Sequence, residues 1–138
     1  MPAIKISALF EEIHNWKNFA AHFYNYKVCG EIPAIFGRDE GLDLSEMYHI
    51  HLASTEKTQI RWAKMDSQYY RTALKDDPAN DFWLIYAYDD FRDEYLLLTI
   101  TGPDAHSRSQ WGSFLRTIHR DIVEPWVLGK IVFPDLDD

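Results

Sequence analysis

His49 and His51, separated by one residue, are the side chains of this sequence best suited to passing a proton near neutral pH. Tyr48, Ile50 and Leu52 alternate with Met47, His49, His51 and Ala53 at the period of a β-strand. The imidazoles therefore share one face, and the apolar side chains point to a core on the other. Strand geometry sets the two rings about 7 Å apart, a spacing at which they can flank a phosphate as acid and base. The plainer role for one of them is that of a hydrogen-bonded sheet histidine. Arg38 and Asp39 follow Gly37. The guanidinium suits a bidentate grip on a phosphate and the carboxylate suits orienting it, against the alternative of an ion pair that locks a loop. Arg71 is a second phosphate candidate or else a solvated charge. Lys27 is a candidate contact too, although a lysine near a helix end also complements the helix dipole. His106, shortly after Pro103, can converge on the histidine face or serve as a capping or surface residue. Tyr86 can donate a proton or stack on a base, or simply lie buried in a strand.

A His-x-His strand with a third histidine or an acid nearby is also a metal-binding pattern. No second closely spaced ligand pair accompanies it, so the expectation is a site that uses no metal and no other cofactor, with a metalloenzyme as the alternative. Cys29, lacking a histidine at a known nucleophile spacing, is expected as a buried helix-end residue. There is no phosphate-binding glycine loop, dinucleotide fingerprint, Gly-x-Ser-x-Gly elbow or zinc ribbon to support nucleotide binding or serine hydrolysis.

These residues need elements to hold them. Alternation over residues 4–10 predicts a first strand. Asn15 as N-cap, Trp16, Phe19, Ala20, Phe23 and Lys27 on one face, and Gly30 as terminator predict a helix over 16–29. Residues 31–46, with Pro33, Gly37 and Gly41 among charges, read as a structured loop or a short helix and a loop, of the kind that often carries function. Residues 54–79 read as polar and irregular, ending in a turn. Strands at 82–88 and 94–101 flank an acidic turn and form an antiparallel hairpin. Ser107 and Gln110 have capping-box spacing, and Trp111, Phe114, Leu115, Ile118 and Ile122 share a helical face until Pro125 intervenes. Residues 134–138 read as a frayed acidic tail. The whole is one α+β domain over 1–138, a mainly antiparallel sheet of about four strands covered by helices.

Composition bounds the function. An apolar fraction of 46% and an aromatic fraction of 15% suffice for a real core. With a single cysteine, no secretory pattern in its first residues and no run of about 20 apolar residues, the chain is expected in the cytoplasm and off the membrane. A net charge of −8 disfavours a free-standing nucleic-acid binder. Contact with RNA would come from a few local cations or from RNA presented by a larger partner such as the ribosome.

The string YKVCGEIPAIFGRDEGLD at residues 26–43, followed by HIHLA at 49–53, resembles the signature of YafO-family toxins. The likeness continues more weakly through Arg71, Thr72, residues 84–86 and 96–98, and the Pro-x-Ala-His at 103–106, covering about two thirds of the chain. It departs from the pattern around residues 76–81, in the long C-terminal helix and in the acidic balance. The resemblance implies a RelE/ParE-like toxin fold and a type II toxin that cleaves mRNA on the translating ribosome, restrained by a cognate antitoxin. Metal-free RNA cleavage needs a base for the 2′-hydroxyl, a cation for the phosphorane and an acid for the leaving oxygen. His49, His51, Arg38 and Arg71 are the catalytic candidates, and Asp39, Tyr86, His106 and Lys27 the substrate-binding ones. The competing reading is a non-catalytic protein that binds the ribosome or an antitoxin.

Overall fold

Aliphatic and aromatic runs at strand period build one five-stranded sheet in the computed structural model, which describes residues 2–136. The strands are β1 (Ala3–Ile6), β2 (Phe36–Gly41), β3 (Met47–Ala53), β4 (Asp81–Asp89) and β5 (Glu94–Thr101), in the order β1-β5-β4-β3-β2. Only the β1–β5 pair is parallel. The helix-covered, mainly antiparallel α+β architecture is the expected one, with five strands instead of four because β2 forms where a loop was expected.

That strand depends on Gly37. The Arg38 N–H donates to the Arg71 carbonyl at 3.0 Å. A Cβ at Gly37 would lie 2.2 Å from that same oxygen and 2.9 Å from the Trp62 ring, so only glycine lets these segments close over the sheet edge. Trp62 reaches the spot from α2 (Glu56–Ala63), a helix inside the stretch expected to be irregular. Thr55 starts it, its hydroxyl accepting from the Thr58 N–H at 3.1 Å.

Both faces of the sheet are covered. On one, α1 (Trp16–Cys29) lays Ala20 and Phe23 over Ile4, Ile50, Leu52, Leu84 and Leu97. On the other, α3 (Arg108–Ile118) and α4 (Glu124–Val127) set Leu115, Ile118 and Trp126 against Met47, Ile85, Leu96 and Leu98. His49 and His51 therefore point into a second core.

The helix ends refine the expectations. Gly30 closes α1 with φ of 74°, the left-handed geometry glycine favours, whereas Asn15 forms no side-chain cap. Ser107 caps α3 by accepting from the Gln110 N–H at 3.3 Å. Pro125 does not end the helix: a π-turn at His119–Val123 widens the backbone, and Pro125 then falls in the first turn of α4, where its missing N–H costs little. β1 stops at Ile6, short of the expected residue 10, and a 3-10 turn follows at Phe10–Glu12. The tail expected to fray runs along β1 as far as Leu136, whose N–H donates to the Ile4 carbonyl at 2.8 Å, while Asp135 pairs with Lys5 at 2.6 Å. Residues 137–138 lie outside the described residues. Cys29, expected buried, is exposed. Among the described residues no helix is long and apolar enough to cross a membrane.

Candidate active site

Strand register assembles a polar cluster on the α3 side. Ala53 pairs with Asp81 and His51 with Trp83 across β3 and β4, which sets Asp81 diagonal to His51 on one face. The turn after β5 is tied to the same point: the Ala105 N–H donates to the Asp81 carbonyl at 3.1 Å, and the Asp104 N–H donates to the Pro78 carbonyl at 2.7 Å. The turn delivers His106, whose N–H donates to Asp81 Oδ2 at 3.1 Å and whose Nδ1 lies 2.5 Å from that same oxygen. An ionised carboxylate only accepts, so Nδ1 is the donor to Asp81, and in the neutral ring Nε2 is the nitrogen that keeps a lone pair. Asp81 is only 4% exposed, but the His106 side chain is 57% exposed: a buried acid holds an accessible imidazole.

His49 and His51 are 7% and 3% exposed. Their ring centroids lie 5.3 Å apart, and the Trp83 ring packs 4.2 Å from His49 and 4.7 Å from His106. Burial lowers the pKa of His49, offset in part by the charges of Glu40 and Asp39. His51 is pushed down to about 3, mainly by burial and further by His49, His106 and Arg38. His51 is neutral at pH 7. Nδ1 of His49, Nδ1 of His51 and Oδ1 of Asp81 are buried with no hydrogen-bond partner among the described residues.

His49 and His106 open onto a cleft of about 400 Å³ between the β2–β3 connection and the start of α3, floored by Trp83 and Ala105. Arg108 and Arg116 line its helix wall with Gly112 between them, a four-residue spacing that stacks them on one helical face. Asp43 stands opposite, 3.6 Å from Arg108. This space can seat a phosphate between an oriented imidazole and two guanidinium groups. The sequence reading missed Asp81, Arg108 and Arg116. The two arginines carried a signal in their regular spacing just after the Ser107 cap, whereas Asp81 lies 25 residues from His106 and carried none.

The other expected site residues do not join this cluster, although the charges of Arg38 and Asp39 reach His51 and His49. Asp39, Lys27 and Tyr86 do meet, but on the α1 side. Tyr26 and Lys27 donate to Asp39 Oδ2 at 2.8 and 2.7 Å, and Tyr86 donates to Oδ1 at 2.7 Å. Gln68 donates to the Tyr26 hydroxyl at 2.9 Å and to the Gly37 carbonyl at 2.7 Å. Burial, reinforced by the Asp39 charge, pushes both phenols well above their usual range. Arg71 donates to the Pro33 and Phe36 carbonyls at 3.3 and 3.1 Å, bracing the approach to β2. Arg38 lies at the sheet edge with its guanidinium 3.9 Å over the Tyr69 ring, Nε donating to the Tyr69 carbonyl at 2.7 Å. The structure thus gathers His49, His51 and His106, and separates them from Asp39, Tyr86 and Lys27 by the thickness of the sheet.

A family model described as Toxin YafO, type II toxin-antitoxin system, matches residues 24–127 of the chain. That span holds both polar clusters and the cleft. Neither the curated proteins nor the solved structures searched yielded a match.

Proposed function

Since the chain belongs to the YafO family of type II toxin-antitoxin toxins, we propose that it is an endoribonuclease that cuts mRNA on the translating ribosome in the cytoplasm and is silenced by a cognate antitoxin. The observation that carries this reading is the accessible His106, held by buried Asp81 at the mouth of a cleft flanked by Arg108 and Arg116. Nε2 of His106 takes the 2′-hydroxyl proton, O2′ bonds to phosphorus, and the P–O5′ bond breaks. The departing O5′ takes a proton from solvent, leaving a 2′,3′-cyclic phosphate and a 5′-hydroxyl end. Asp81 keeps the imidazole in the right tautomer and stabilises the cation it becomes. Arg108 and Arg116 offset the charge of the phosphorane. His49 lines the cleft, and His51 packs behind it against the His49 and Trp83 rings. No step calls for a metal ion.

The charge of −8 disfavours naked RNA as a substrate and supports delivery of the message by the ribosome. Expression with and without a neighbouring antitoxin gene tests the reading. Growth arrest with new 5′ ends in messages supports the nuclease, and arrest with intact messages leaves only a binding role.

A further inference from the structure

We propose that His51, Asp81 and His106 form a binding site for a divalent transition-metal ion of the zinc class, and that filling it withdraws His106 from RNA cleavage. The regulatory half rests on the function proposed above; the binding half does not.

One ligand atom from each of the three residues lies within 4.8 Å of the others. A tetrahedral ion with bonds of about 2.0 Å needs ligand atoms about 3.3 Å apart, so filling the site takes side-chain adjustment, for which the half-exposed His106 ring has the most room. His51 and Asp81 are fixed by the β3–β4 ladder, and His106 by its backbone bond to Asp81. The donor set of two imidazoles and one carboxylate is that of three-ligand zinc centres, which keep one position open. Two of these groups have unmet needs. Nδ1 of His51 and Oδ1 of Asp81 are buried without partners among the described residues, and an orphaned buried polar atom is costly to the fold. An ion there would supply the partner these atoms lack and find its entrance at exposed His106. His49 is not in the group, so the pattern that matters is not the His-x-His pair but one of its members joined to an acid and a histidine distant in sequence.

The consequence for the cleft follows from the same atoms. An ion that takes the His106 ring also takes the Asp81 carboxylate that orients it, so base and orienting group are lost together.

The test uses the purified full chain, stripped of metal and titrated with zinc chloride. Calorimetry is expected to show one equivalent bound at micromolar affinity or better, with a higher melting temperature and no response to magnesium. Cobalt is expected to give a visible ligand-field band from a four-coordinate nitrogen and oxygen site. His51→Gln and His106→Gln are each expected to weaken zinc binding at least tenfold, and His49→Gln to leave it unchanged. Because Asp81 also anchors a turn, the two histidine variants decide the matter even if Asp81→Asn fails to fold. Absence of saturable binding overturns the site, as does binding indifferent to both histidine changes. In ribosome-dependent cleavage, zinc is expected to slow the wild type and a zinc-selective chelator to restore it. Slowing by zinc without stoichiometric binding to the chain would overturn the regulatory half. Stoichiometric binding in a protein that never cuts RNA would keep the site and discard the nuclease.

Discussion

Two polar clusters face each other across one sheet, and they differ in how fully their hydrogen-bonding capacity is met. On the α1 side both oxygens of Asp39 are taken, by Tyr26, Lys27 and Tyr86, and Gln68 ties Tyr26 to β2. On the α3 side Asp81 has one oxygen on His106 and one without a partner among the described residues, where the rings of His49 and His51 each keep a bare Nδ1. Both clusters draw on the residues that carry the family resemblance. A saturated network has nothing left to offer a substrate and serves to hold α1, β2 and β4 together. An under-satisfied one beside an open cleft stores the capacity that chemistry requires.

If that contrast is right, damage to the first cluster is read in stability and damage to the second in activity. Asp39→Ala strands a mostly buried lysine and two phenols, and is expected to cost about 3–5 kcal/mol in urea unfolding. Retention of wild-type stability would remove the scaffold role.

Acid sharpens the comparison from the other side. The His51 pKa is lowered from 6.5 to about 3 in the folded chain, so between those values the unfolded state binds more protons than the native one. The resulting stability is complete above pH 6.5 and is lost as the pH falls toward 3. At pH 5 the metal-free protein is expected to be less stable than at pH 7 by roughly 1–2 kcal/mol on this account. His51→Gln should flatten that slope, as measured by urea midpoints across the range. An unchanged slope would mean that His51 is not held neutral by burial.

Tyr86→Phe removes one donor from Asp39 while keeping the ring, and is expected to cost about 1 kcal/mol, with cleavage near wild type. A large loss of cleavage in a stable protein would move Tyr86 from scaffold to chemistry.

The parts of this molecule legible in the sequence are those written locally. The bounds of α1, the β3 run with its two histidines and the β4–β5 hairpin all rest on periodicity and on glycine or turn residues close at hand. β2 was hidden because its charged Arg38, Asp39 and Glu40 lack strand character, and its existence depends on Trp62 and Arg71 closing over Gly37. α2 was hidden because its polar sequence buries little beyond Trp62. The histidine pattern revealed that two rings share a face, but not that α3 covers it, since a strand's own period cannot say whether its second face is also roofed. The Asp81–His106 contact joins residues in different elements, and only the turn after β5 brings them together.

The central claim is that His106, oriented by Asp81, takes the 2′-hydroxyl proton. It is tested most directly by single-turnover cleavage of a defined message on purified, programmed ribosomes, comparing the wild type with His106→Gln. The expected result is a wild-type product ending in a 2′,3′-cyclic phosphate, and a variant slowed about 10²–10⁴-fold whose melting temperature and antitoxin binding are unchanged. A folded His106→Gln protein that cuts at the wild-type rate would contradict the account.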